Sequence, residues 1–298
     1  MFPFAQARPW LAMAWLGLAL LVAIPAAFGQ QAPPFETRRV ADNVHIFRYG
    51  GHQAMFVVTP EGVLATDPIA YLRPQVARTY LEEIRKVSQA PIRYLVYSHH
   101  HYDHIAGGAP FKEAGATVLA HRNAQARLAE LKNPDVVPVD EAVGDEGRVI
   151  EMGGTRIELH YVGRNHSDNS LVVLLPRERI LFTVDFIPIE AVQFRDMPDG
   201  YLPDWFDSLD RVLALEWDRM IPGHPYAGGR LGTKEDVRNL KQYMTDLSDA
   251  VREAAKGGKC FDAAMREVKL PRYAQWGSYE QFLPGNIERF CEYWGRGY

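Results

Sequence analysis

The stretch Ser98-His99-His100-His101-Tyr102-Asp103-His104 decides how the rest of the chain is read. It follows Ile92 to Tyr97, a short apolar run that suits a buried strand, and precedes the small residues Ile105-Ala106-Gly107-Gly108. The junction of a strand end and a loop is a usual place for site residues in α/β sheets. Imidazoles and a carboxylate packed this closely suit a divalent transition metal. His99, His101, Asp103 and His104 set the spacing H-x-H-x-D-H. So many neighbouring ligands are strained around one ion, whereas two adjacent ions can divide them.

Three later residues are of ligand type and stand at expected strand ends. His166 lies in the polar turn Gly163-Arg164-Asn165-His166-Ser167-Asp168-Asn169. Asp185 ends the apolar run Ile180 to Val184, and His224 follows Ile221-Pro222-Gly223. Around them, strand and helix signals alternate. Val44–Arg48, Ala54–Thr59 and Val63–Thr66 read as strands, with Pro60-Glu61-Gly62 as a turn. Val76, Tyr80, Ile84 and Val87 recur on one face of a helix over 74–87. Residues 117–120 read as a strand and 123–132 as a helix, with a short helix at 110–114. Consecutive strands fill 149–184, and helices are expected at 204–215, 233–256, 261–268 and 279–294. Glu235 and Asp236 in the first turn of the longest one suit the helix dipole. The Pro- and Gly-containing stretch 188–203 has the length of a binding loop.

Taken jointly, H-x-H-x-D-H after a strand, His in a Gly-x-x-His-Ser turn, Asp at a strand end and Pro-Gly-His resemble the metallo-β-lactamase fold superfamily of metallohydrolases. The resemblance runs from about residue 40 to 230, and Asp67 matches an early Asp of the family that supports the metal loop. It implies an α/β fold, the αββα four-layer sandwich, here with a helical C-terminal extension. It implies that His99, His101 and His166 hold a first metal, that Asp103, His104 and His224 hold a second, and that Asp185 bridges them. His100 and Tyr102 are spacers. The implied cofactors are two divalent cations, zinc first, with iron or manganese as alternatives.

Such a pair lowers the pKa of a shared water from near 16 to about 7 and polarises the bond under attack. The expected activity is therefore a metal-dependent hydrolase whose metal-bound hydroxide cleaves an ester, lactone, thioester or amide. Asp103 is the candidate to orient that hydroxide and pass a proton to the leaving group. Metallo-β-lactamases usually carry Cys or Ser where Asp185 stands, so Asp185 looks more like the pattern of lactonases and glyoxalase II-type thioesterases. β-Lactam hydrolysis is kept as an alternative, and an iron-dependent oxidoreductase of the same fold as a second. Ile187, Phe194, Tyr201, Trp205, Phe206 and Tyr226 are candidate walls for an apolar substrate, and His52 is within reach of the site.

The chain has 298 residues, 47% hydrophobic and 23% charged, which fits a globular protein and excludes a disordered or collagen-like one. A net charge of −4 argues against nucleic acid as the main partner, and the resemblance implies a small-molecule substrate. Residues 1–29 read as a signal peptide: Arg8, the uncharged apolar stretch Trp10–Ile24, then Ala27-Phe28-Gly29 as a cleavage site. The apolar stretch is short for a membrane span. The expectation is a periplasmic or secreted protein without a stable membrane anchor after cleavage near Gly29. The chain thus divides into a signal peptide (1–29), a catalytic domain (30–232) and a helical extension (233–298), with its oligomeric state open. Cys260 and Cys291 either pair as a disulfide or remain separate thiols.

Overall fold

Period-two alternation in the strands divides their side chains between two cores. In the computed structural model, which describes residues 34–297, the first sheet holds β1 (Phe35–Arg39), β2 (Val44–Tyr49), β3 (His52–Thr59), β4 (Gly62–Thr66), β5 (Ile92–Val96), β6 (Thr117–His121) and β7 (Glu141–Val143), in that order. The second holds β8 (Arg148–Met152), β9 (Thr155–Tyr161), β10 (Leu171–Leu175), β11 (Ile180–Val184) and β12 (Arg219–Pro222), neighbours running from β12 to β8. Val44, Ile46, Met55 and Val57 of the first sheet meet Leu171, Val173, Leu175 and Phe182 of the second in the central core. Their sequence neighbours point outward. Phe47, Phe56 and Leu95 pack under α1 (Gln75–Val87), with the short helices α2 (Tyr102–Ile105) and α3 (Ala109–Glu113) and helix α4 (Arg122–Leu131) on the same side. Val172, Leu174 and Leu181 pack under α5 (Leu202–Ala214), α6 (Lys234–Lys256), α7 (Asp262–Glu267) and α8 (Tyr279–Arg296). The outcome is helix, sheet, sheet, helix: the four-layer α/β sandwich expected from the sequence.

Most elements lie where their periodicity placed them. The connection that carries the His-rich motif differs, because Tyr102–Ile105 forms one helical turn within it. Edge strands β1 and β7 were not read: β1 is only partly buried and β7 has three residues, so neither carries a strong alternation signal. Cys260, just before α7, and Cys291, within α8, are free thiols brought together by the packing of these helices, the Phe261 N–H donating to Cys291 Sγ at 3.1 Å. The signal-peptide reading lies outside the described residues. Among the described residues no helix is long and apolar enough to cross a membrane.

Strand direction positions the site. β4 and β5 are parallel, so Thr66 and Val96 end at the same rim, and antiparallel β3 starts there at His52. In the second sheet, β9 ends, β10 begins and β11 and β12 end at one rim. The two rims are stitched together: Leu171 N–H donates to Ser98 O at 2.7 Å, and Gln53 N–H to Gly223 O at 2.7 Å. Phe182, fully buried between the sheets, is a direct probe of this packing. Phe182→Ala should lower unfolding free energy by about 3–5 kcal/mol, read as a reduced denaturant midpoint.

Candidate metal centre

Three imidazoles of the cluster are anchored by a hydrogen bond at one ring nitrogen and turn the other inward, and a fourth faces a carboxylate. His99 Nδ1 lies 2.9 Å from Ser98 Oγ, which leaves Nε2 facing the centre. His101 Nε2 donates to the Asp199 carboxylate at 2.7 Å, and His224 Nδ1 donates to Gly51 O at 2.6 Å. Carboxylate and carbonyl oxygens there act only as acceptors, so those nitrogens carry the proton. The inner nitrogens, His101 Nδ1 and His224 Nε2, are left with lone pairs. His104 Nδ1 faces Asp67 Oδ2 at 3.6 Å while its Nε2 points inward. Outer partners of this kind fix the tautomer and aim of metal-binding histidines.

The seven residues named from the sequence converge, and Asp185 divides them. Its Oδ2 faces His99 Nε2 at 3.6 Å and His166 Nε2 at 3.7 Å. Its Oδ1 faces His104 Nε2 at 2.9 Å and His224 Nε2 at 3.4 Å. His101 Nδ1 is 2.9 Å from His166 Nε2, so His99, His101, His166 and Asp185 form one set. Asp103 Oδ2 lies 3.5 Å from His104 Nε2 and 3.9 Å from His224 Nε2. These three form the second set with His52. His99 Nε2 and Asp185 Oδ1 are buried without a hydrogen-bond partner, Asp185 Oδ1 meeting His104 Nε2 at close range but outside hydrogen-bond geometry. Buried polar atoms are normally satisfied. Inward-facing nitrogens and oxygens of this chemistry fit divalent cations. A further fit is spatial: a Cβ at Gly223 would overlap Asp185 Oδ1 and lie 3.0 Å from His104 Cε1.

Electrostatics sort the imidazoles. Burial, then the neighbouring His101 ring, pushes His99 well below its ordinary pKa and His166 down to about 3. Both stand neutral, as metal ligands must. Burial also opposes charge on His104 and His224, but Asp185 outweighs it and raises both. Burial alone would raise Asp103, yet His104 and the hydrogen bond from His52 hold it below the usual carboxylate range.

Two groups extend the site beyond the seven candidate ligands: His52, expected within its reach, and Asp199, which the sequence did not single out. His52, at the start of β3, offers Nδ1 to Arg73 Nη2 at 3.2 Å, and arginine only donates. Its Nε2 therefore carries the proton and donates to Asp103 Oδ2 at 3.3 Å. Asp199, in the long stretch after Asp185, takes His101 at 2.7 Å and has His100 Nε2 at 3.5 Å. Hydrogen bonds from His100 and His101 hold its carboxyl far below the ordinary range. The available signal was a carboxylate inside a loop flagged for binding. Of the expected wall residues, Phe194 and Tyr226 line the cleft. Ile187 and Trp205 are instead buried in the core under the second sheet, and Phe206 packs partly buried against it. Trp205 is a core residue because its indole N–H has a buried acceptor, Phe186 O at 3.1 Å.

The chain belongs to the metallo-beta-lactamase superfamily, whose family model matches residues 64–224. The alpha subunit of 2,4-dinitroanisole O-demethylase from Nocardioides sp. (strain JS1661) is 26% identical over 74% of this chain. A metallo-beta-lactamase type 2 from Bacillus sp. (strain 170) is 28% identical over 54% of it. The chain spans 66% and 60% of those two relatives' own lengths. Among solved structures, the DIM-1 metallo-beta-lactamase superposes with a TM-score of 0.61 at 20% identity, covering 72% of this chain and 98% of that one. A metallo-beta-lactamase from Pontibacter korlensis gives 0.59 at 18% identity, covering 71% and 99%. Members of this superfamily typically bind metal ions, and the two His/Asp sets are able to do so.

Among the described residues, Asp199 meets the cluster through His101, with His100 beside it. Asp199→Ala should weaken metal affinity about 10–100-fold while leaving the fold intact. Competitive titration against a chromogenic chelator measures the loss, and circular dichroism reports the fold.

Proposed function

We propose that this protein is an exported dinuclear metallohydrolase that cleaves an ester, lactone, thioester or amide bond of a small molecule. The observation that carries the reading is the division of Asp185, whose two carboxylate oxygens each face a separate set of inward-aimed imidazoles. His99, His101 and His166 would hold one cation, Asp103, His104 and His224 the other, with Asp185 shared and zinc the preferred metal. When bound, two such cations acidify water and polarise the scissile carbonyl or stabilise the departing group. The leader-like residues 1–29 support export.

The chain's own groups supply the proton handling. The Asp103 carboxyl is partly open to the cleft, ionised in the resting site and oriented by the His52 N–H. It accepts a proton from the attacking water as the new C–O bond forms. As the bond to the leaving group breaks, Asp103 returns that proton to the departing oxygen, sulfur or nitrogen. Asp185 is buried to 8% side-chain exposure and cannot serve as a freely titrating base; its part is to hold charge between the two sets.

β-Lactam hydrolysis is the second reading, supported by relatives and fold neighbours that bear the metallo-beta-lactamase name. Demethylation of an aryl ether, the activity in the O-demethylase subunit's name, gives a third bond type for the same assay panel. The panel contains lactones, thioesters, aryl esters, an aryl methyl ether and β-lactams, each tried with the metal-loaded protein and with Asp185→Ala. Asp185→Ala should bind fewer cations by elemental analysis and lose at least about 100-fold in kcat, because both sets lose a ligand. Full metal content with undiminished turnover in that variant would end the shared-carboxylate reading. Chelation should also lower the melting temperature, since a ligand that binds only the native state stabilises it.

A further inference from the structure

The two His/Asp sets form the floor of a cleft of about 880 Å³, and the walls above them differ sharply from that floor. Tyr71, Tyr102, Leu131, Val192, Phe194 and Tyr226 supply apolar surface from separate parts of the chain. Leu131 is 52% exposed and Phe194 51%, unusual for large apolar side chains that meet at one opening. Among the described residues no lysine or arginine lines the cleft. Arg73 is engaged behind it by His52 Nδ1 and by Ile69 O at 3.3 Å. Arg195 stacks on the Phe194 ring, 5.3 Å from its centroid.

This wall is braced from below. Phe194 packs edge-on against Phe282 of α8, with ring centroids 5.2 Å apart. The fully buried Asn286 amide donates to Gln193 O at 3.0 Å and to Arg195 O at 2.5 Å, while Tyr243 O–H holds its carbonyl at 2.8 Å. The segment carrying Phe194 is therefore fixed on both sides of the ring, and its exposure is a built feature of the cleft.

We propose that the cleft selects substrates with an uncharged apolar body, such as alkyl or aryl esters and alkyl lactones, over substrates whose body carries a carboxylate. The inference rests on the hydrolase reading only for the bond cleaved. A carboxylate moved from water against these walls would meet no lysine or arginine among the residues that line them, and its desolvation cost there would go largely uncompensated. β-Lactam antibiotics carry such a group beside the scissile amide, so they are disfavoured on the same ground. An alkyl chain gains with every methylene it buries.

Two measurements on the metal-loaded full chain test this. Calorimetric titration with butan-1-ol, hexan-1-ol and octan-1-ol should show affinity rising about three- to fourfold per methylene. Phe194→Ala should flatten that slope, and Phe194→Leu should restore much of it. For hydrolysis, kcat/KM for methyl octanoate should exceed that for monomethyl suberate by at least about tenfold. This ratio is blind to non-productive binding of the suberate carboxylate at the floor. Equal kcat/KM for the two esters, a flat alcohol series, or a Phe194→Ala slope like that of the parent each overturns the proposal. If the alcohols bind with the expected slope but no ester, lactone or thioester is cleaved, the cleft assignment stands and the hydrolase reading falls.

Discussion

The anchoring of imidazoles through their outer nitrogens is the constraint on which the site depends. A free histidine presents either nitrogen, and a cluster of five without fixed tautomers would repel or cross-bond within itself. Here Ser98, Asp199 and Gly51 each fix one ring, and Asp67 faces a fourth. The anchors lie on connections at the rims of both sheets, so the cluster can form only when the two rims are in register. Leu171 N–H to Ser98 O and Gln53 N–H to Gly223 O supply that register across the sandwich. Packing and chemistry are thus one problem: sliding one sheet along the other would misaim the nitrogens before it exposed much core.

The backbone bends to meet this demand where the sequence would not choose to. Val184, just before Asp185, has φ of 53°, a conformation costly for a β-branched residue. The strand irregularity between Phe182 and Val184 falls at the same point. Asp67 (φ 31°) and Ile69 (φ 48°) are held in the same region of conformational space by the loop that backs His104, with Ile69 N–H donating to His104 O at 2.7 Å. Strain at these positions is opposed by burial and hydrogen bonding on every side. Its location beside the shared carboxylate and its supporting loop ties it to the aim of those side chains.

The inner layers were legible because short apolar runs such as Leu171–Leu175 and Ile180–Val184, bounded by turn residues, suit strands buried on both faces. The cluster was legible because His99 to His104 places several ligand types on one short connection, and Asp185 and His224 follow apolar runs that could only be strands. What escaped is long-range. Nothing local to Asp199 pairs it with His101, 98 residues earlier. Arg73 likewise shows its role only beside His52, where an obligate donor settles which imidazole nitrogen bears the proton. Trp205 and Ile187 were misread because an aromatic or aliphatic residue near the site in sequence carries no signal for which side of the backbone it takes. That choice is made by core volume, and the core under the second sheet claimed both.

The helices after residue 233 bear on specificity as well as on stability. Their apolar faces complete the core under the second sheet, but Asn286 and Phe282 reach past that core to the segment that carries Phe194. Gly277 adds a second clasp, its N–H donating to Glu190 O at 2.7 Å while its carbonyl takes the Val192 N–H at 3.1 Å. The floor of the cleft is therefore set by strand ends, and the Phe194 part of its wall is braced by α8. Floor and wall thus rest on different elements: the contacts of α8 fall on the segment around Phe194, and the imidazoles stand on strand ends and the connections beside them.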